Sequence, residues 1–153
     1  LSRRLQHHRQ LVDHPNSVVQ DRSVYEDAEV FARNLRLQGY MNARDWQSYW
    51  DLYQTVITFL PPPDLVMYLQ ASVPTLQERI RQRGRDYEQD ISPDYLENLN
   101  TLYDEWVESF SLCPVLTVPT DNLNFVASNS HLEMIANRIL YKLHGKEVVT
   151  FSS

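Results

Sequence analysis

Short apolar runs of strand composition alternate along this chain with longer stretches of helical periodicity, and that alternation restricts the fold more than any other feature. Ser17-Val18-Val19-Gln20 is short and β-branched, the composition of a buried strand. The run from Asp64 to Leu69 is compact and apolar, with the length of a strand covered on both sides. Pro114 to Val118 reads as a third strand. The order helix, strand, two helices, strand, two helices, strand, helix indicates an α/β layer architecture with a largely parallel sheet.

The helices declare themselves by spacing and punctuation. Leu1 to about Val12 places Leu1, Leu5 and Leu11 roughly on one side and ends at His14-Pro15-Asn16. Ser23 with Glu26 three residues on has the capping-box pattern, and the helix it starts is expected to turn Val30, Phe31 and Leu35 inward and stop near Gly39. A second helix, about Arg44 to Leu60, carries a wide aromatic face of Trp46, Tyr49, Trp50 and Tyr53, and Pro61-Pro62-Pro63 ends it. A third runs from about Thr75 to Gln82 with Gly84 after it. Ser92-Pro93 opens a fourth whose apolar face is Tyr95, Leu96, Leu99, Leu102, Tyr103, Trp106 and Phe110. The last, about His131 to Leu143, turns Leu132, Ile135, Ala136, Ile139, Leu140 and Leu143 inward, and the tail after Gly145 is expected to be loose.

Composition removes several classes of function. A length of 153 residues fits one domain with a real core, and 42% hydrophobic with 22% charged residues is ordinary for a globular protein. A formal net charge of −6 argues against binding polymeric nucleic acid, whose phosphates demand a basic surface. It leaves room for a small anion, for which one local arginine cluster suffices. The single cysteine, Cys113, excludes an internal disulfide and suits a reducing, cytoplasmic setting. No apolar run approaches the ~18 residues that span a membrane, and no apolar core follows the basic N-terminal residues as in a signal peptide.

Three segments could carry chemistry. Asp21-Arg22-Ser23 follows the first strand-like run, and ligands of open parallel sheets bind beyond the carboxyl ends of strands. An Asp there can hold Mg²⁺ and an Arg can neutralise phosphate; equally, Asp21 and Ser23 could simply cap the next helix. Arg79, Arg81, Arg83 and Arg85, followed by Asp86-Tyr87-Glu88, put four arginines within seven residues of an acidic chain. Such forks match phosphate oxygens and stack on bases, or they form a solvated face paired with Glu78 and Asp86. Asp27 and Phe31, four apart, could hydrogen-bond and stack on a nucleobase, or serve as helix-dipole compensation and core. The histidines His7, His8 and His14 form no zinc pattern, and Cys113 reads as a small buried hydrophobe.

Together these segments resemble the deoxynucleoside kinase family, especially its bacterial deoxyadenosine/deoxyguanosine kinase branch. The match is carried by Gln20 through Leu35, Pro63 through Leu69 and Arg79 through Glu88, and continues through Tyr95 to Trp106 and Cys113 to Leu116. The resemblance implies a P-loop-kinase-like parallel sheet flanked by helices over residues 1–143, with 144–153 as a tail. It implies that Asp21 sits near Mg²⁺ and the phosphates and that Arg22 binds near the 5′-hydroxyl and the transferring group. Asp27 would hydrogen-bond the base and Phe31 stack on it. Arg79 would stack on the adenine of ATP, Arg83 and Arg85 would close over its phosphates, and Glu88 would bind the sugar 3′-hydroxyl. Arg3 would reach toward the base pocket, and Asp121 through Phe125 resembles an adenine-contacting loop. ATP, Mg²⁺ and a deoxynucleoside are the implied ligands, and a homodimer the implied assembly.

A P-loop needs Gly-x-x-x-x-Gly-Lys-Ser/Thr so that successive backbone N–H groups cradle phosphate. The glycines here are Gly39, Gly84 and Gly145, and after Gly145-Lys146 comes Glu147 where Ser or Thr is required, so the 153 residues contain no such loop. The family's first strand, P-loop and carboxylate general base are expected upstream of the position matching Leu1, and without them the chain is expected not to turn over ATP and to leave a sheet edge uncovered. Two rivals carry different expectations. A nucleoside monophosphate kinase of the thymidylate type also places Asp-Arg after a strand, but Tyr25-Glu26-Asp27 puts carboxylates where an acceptor phosphate would go. A non-catalytic module would dimerise through the aromatic helices.

Overall fold

The computed structural model describes residues 1–88, 90–123, 129–141 and 146–148. They divide into two compact units, Leu1–Pro61 with Thr101–Trp106, and Pro62–Asn100 with the residues from Val107 on.

The first unit is helical: α1 (Ser2–Val12), α2 (Val24–Glu26), a π-helix (Asp27–Ala32), α3 (Arg33–Leu37) and α4 (Ala43–Ile57), joined by the middle of α6 (Pro93–Ser109). Its core is Val24, Tyr25, Ala28, Val30, Ala32, Tyr53, Leu102 and Trp106. The predicted capping box forms: the Ser23 Oγ accepts from Tyr25 N at 3.1 Å while Ser23 N donates to Glu26 Oε2 at 2.6 Å, satisfying orphan N–H groups from both directions. The chain leaves α3 through Gly39, whose φ of 79° a side chain would resist. In α4 the aromatic rings stack along the helix, Trp46 on Trp50 at 5.1 Å and Trp50 beside Tyr53 at 5.3 Å, and Tyr53 is the ring that is fully buried.

Two expectations fail in this unit. Ser17–Gln20 is not a strand, and Val19 is 95% exposed. A strand closes its N–H and C=O groups only against a neighbouring strand, and the described residues of this unit contain none. Leu35 lies exposed rather than inward, because the π-helix changes the angular step ahead of it. The side chain that α1 buries most is His8, whose Nε2–H donates to the carbonyl of Pro61 at 3.1 Å.

The second unit holds the sheet: β1 (Val66–Gln70), β2 (Val115–Pro119) and β3 (Lys146–Val148), all parallel, in the order β1-β2-β3. Helix α5 (Val73–Arg83) follows β1, and α7 (Asn129–Tyr141) follows β2. Leu116, Val118, Leu123 and Ile135 form the core, with Leu65 and Ile139 packed against it. Central β2 is buried from Val115 to Val118. In β1, however, burial alternates and Leu69 is 48% exposed, so the strand is covered on one side and not, as its composition suggested, on both. The tail expected to be loose contributes β3, paired from Val115↔Lys146 to Thr117↔Val148. In α7, Leu132, Ala136 and Leu140 are exposed although they were assigned inward, while Ile135 is buried; Leu143 lies outside the described residues.

Candidate functional site

The first group of predicted site residues is built on the turn between α1 and α2. Arg22 has a left-handed backbone, φ 60°, a conformation that crowds Cβ against the neighbouring carbonyl. Two contacts hold it. From α1, Arg4 Nη1 donates to the carbonyl of Arg22 at 3.1 Å and reaches that of Asp21 at 3.5 Å. From the other side, the capping box fixes Ser23. The guanidinium of Arg22 lies 4.7 Å from the centroid of the Phe31 ring, within range of a cation–π contact. Phe31 in turn meets the edge of Tyr103 at 6.1 Å.

Asp21 is exposed beside Arg22. Among the described residues no group of three or more His, Cys, Asp or Glu is placed to hold a metal ion. A single exposed carboxylate still suits Mg²⁺, which keeps several waters and takes one or two carboxylates plus substrate phosphates rather than a cage of side chains. Asp27 sits in the π-helix with Phe31 four residues on. Tyr49 faces Asp27 from α4: burial foremost, then the negative charge of Asp27, push its phenol well above the ordinary tyrosine range. Burial likewise raises Glu29, whose Oε1 accepts from the Tyr53 hydroxyl at 3.2 Å.

Two residues here were not recognised from sequence. Arg4 supports the Asp21-Arg22 turn, whereas Arg3, the residue singled out in α1, is exposed. Tyr103 looked like one more apolar position of α6. Its phenol is pushed up to about 12, chiefly by burial, with Glu26 and Asp21 raising it and Arg22 and Arg4 opposing, so it belongs to the charged cluster of the turn. Helical spacing assigns a tyrosine to a face but cannot say what its hydroxyl meets.

The second group lies along α5 and beyond it. Ser72 caps the helix and Gly84, φ 67°, ends it in the left-handed conformation that favours glycine. Arg83 Nη2 pairs with Glu88 Oε2 at 2.5 Å and Arg85 Nη1 with Glu88 Oε1 at 3.3 Å, so one carboxylate bridges two guanidiniums and the trio keeps a net positive charge. Arg81 turns to Glu78 and takes no part in this cluster. Arg79 points elsewhere: Nη1 donates to Thr120 Oγ1 at 2.9 Å, and Nη2 to the carbonyls of Thr120 at 2.5 Å and Leu123 at 3.2 Å. Asp121, in the segment likened to an adenine loop, accepts from Ser72 N at 2.8 Å, and that backbone donor holds its carboxyl below the usual range. Residues 124–128 of that segment lie outside the described residues. Cys113 has a thiol raised by burial, as an inert cysteine would.

Comparison with known proteins bears on the family of the chain. A family profile described as deoxynucleoside kinase matches residues 1–144. The chain is 30% identical over 149 residues to the deoxyadenosine/deoxycytidine kinase of Bacillus subtilis (strain 168), covering 96% of this chain and 69% of that protein. It is 38% identical over 119 residues to the deoxyadenosine kinase of Dictyostelium discoideum, covering 77% of this chain and 48% of the relative. Among solved structures, a deoxyadenosine kinase from M. mycoides with bound dCTP superposes with a TM-score of 0.70 at 27% identity, over 92% of this chain and 71% of that one. The chain spans about half to seven-tenths of the lengths of these proteins. With residues 1–144 of its 153 matched by the profile, the chain belongs to the deoxynucleoside kinase family.

Proposed function

We propose that this chain supplies the nucleoside-facing turn and the arginine lid of an ATP-dependent deoxynucleoside kinase. The observation that carries this reading is Arg22, held in a left-handed backbone by Arg4 and the capping box with its guanidinium over the Phe31 ring. Strain of this kind persists where the surrounding structure over-determines it, and it concentrates at functional turns.

In the proposed reaction the 5′-oxygen of a deoxynucleoside attacks the γ-phosphorus of ATP in line. The bond to the β,γ-bridging oxygen breaks and ADP departs, while the hydroxyl proton passes to a carboxylate base that the family places outside these residues. Phe31 and Asp27 orient the base by stacking and hydrogen bonding, and Glu88 takes the 3′-hydroxyl. Arg22, Arg83 and Arg85 stabilise charge on the transferring group, which costs little reorganisation when the guanidiniums are held in advance. Mg²⁺ carried with the triphosphate would be held at Asp21 and would neutralise its charge. Residues 1–143 form the kinase domain in this reading, the protein is cytoplasmic, and it works as a homodimer. Leu52 and Phe59, exposed on and just beyond α4, offer apolar surface for that contact.

The test compares the 153-residue chain with a chimera joining it to the portion of the Bacillus subtilis relative that the match does not cover. Each is assayed for ATP-dependent phosphorylation of the four deoxynucleosides and of dTMP. Activity of the chimera on a nucleoside, with none from the chain alone, supports the reading. Transfer to dTMP alone moves the assignment to a monophosphate kinase, and a chimera that phosphorylates nothing leaves the non-catalytic module.

A further inference from the structure

Arg79, Arg83 and Arg85 share one lid segment, yet their guanidiniums are held in chemically different ways. Arg83 and Arg85, about half exposed, pair with the Glu88 carboxylate, a contact that a phosphate can replace in kind. The Nη edge of Arg79 is committed to the protein: Thr120 Oγ1, Thr120 O and Leu123 O take its N–H groups at 2.9, 2.5 and 3.2 Å. Gripping a phosphate with that edge would break bonds to two backbone carbonyls and leave them unmatched. Stacking an aromatic ring on the guanidinium plane breaks none of them.

Thr120 is the centre of this arrangement. It is 1% exposed and immediately follows β2. Both its N–H and its hydroxyl reach the carbonyl of Gln70, the last residue of β1, at 2.7 and 2.9 Å. A hydroxyl has one proton, and Gln70 O can only accept it, so Oγ1 is left as an acceptor aimed at Arg79. The anchor therefore stands at the carboxyl ends of two adjacent parallel strands, where open α/β sheets bind ligands. Asp121 fastens the same turn to the N-cap of α5 through Ser72 N, so α5 is tied at its start and again at Arg79.

We infer that Thr120 is a positioning residue that fixes the guanidinium plane of Arg79 and so commits Arg79 to the planar base of a nucleotide rather than to its phosphates. This rests on the reading of the arginine segment as a nucleotide lid.

The test follows the arginine Nε–Hε resonances of the full ¹⁵N-labelled chain during titration with ATP and, separately, with inorganic tripolyphosphate. ATP is expected to shift Arg79, Arg83 and Arg85, whereas tripolyphosphate shifts Arg83 and Arg85 and leaves Arg79 in place. Thr120→Val, nearly isosteric, is expected to weaken the ATP response of Arg79 about tenfold, the scale of one hydrogen bond to a charged group, while Arg83 and Arg85 respond as before. Thr120→Ser restores the acceptor and is expected to restore the Arg79 response, and thermal unfolding of each variant shows that the comparison is between folded chains. The inference is overturned if tripolyphosphate shifts Arg79 as far as ATP does, or if Thr120→Val leaves the Arg79 response unchanged. If ATP shifts none of the three arginines, the lid reading falls and this inference with it.

Discussion

The left-handed backbone of Arg22 makes a prediction that runs against the usual ranking of alanine over glycine. Arg22→Ala and Arg22→Gly both remove the guanidinium from the Phe31 ring, so that contact cancels between them. Both keep the bond from Arg4, which goes to the backbone carbonyl. What differs is the φ of 60°. A residue with a Cβ pays about 1–2 kcal/mol to stay there, and glycine returns about 0.4–1 kcal/mol of that through the greater freedom of its unfolded chain. The glycine variant should therefore be the more stable by roughly 0.5–1 kcal/mol, a shift in melting temperature of about 1–4 °C at this chain length. All three tryptophans, Trp46, Trp50 and Trp106, lie in the unit that contains Arg22, so urea unfolding followed by tryptophan fluorescence reads the relevant transition. In the chimera both variants should lose phosphoryl transfer alike, separating stability from activity. An alanine variant as stable as the glycine variant, or more so, would refute the claim that this turn is strained.

Further outcomes follow from the second unit. Leu116 is fully buried in the sheet core, so Leu116→Ala should cost about 2–5 kcal/mol in an unfolding titration. Glu88→Gln frees Arg83 and Arg85 from their carboxylate and should tighten tripolyphosphate binding by about two- to fivefold, the modest range for partly exposed pairs; isothermal titration reads it. The lowered folded-state pKa of Asp121 means its contribution is fully present above the unfolded carboxylate value near pH 4 and is lost as pH falls through the lower folded value. Asp121→Asn should remove that part of the acid dependence, seen as a flatter urea midpoint as pH falls below about 4.

Helices and their ends were readable from the sequence because their hydrogen bonds close within a few residues. Ser23 and Glu26 are three apart and form the box their spacing announces; Gly84 ends α5 where it stands in the sequence. The candidate site segments could be singled out for a similar reason: Asp21-Arg22-Ser23 and Arg79 through Glu88 are contiguous in the chain, with residue types that resemble the family's. Strands were readable only as composition. Val66–Gln70 and Val115–Pro119 found each other, while Ser17–Gln20, equally β-branched, has no strand beside it and stays irregular. Lys146–Val148, polar in two of its three positions, became a strand because β2 offered an edge.

The split among the arginines was decided in the same way. Arg79, Arg83 and Arg85 are one residue type within seven positions, and residue type does not say which partner each takes. Thr120 and Leu123, some forty positions away, take the Nη groups of Arg79 and leave Arg83 and Arg85 to Glu88. What depends on near neighbours in the chain was fixed by the sequence; what depends on a donor meeting an acceptor from a distant segment waited for the tertiary structure, because only packing brings the two together.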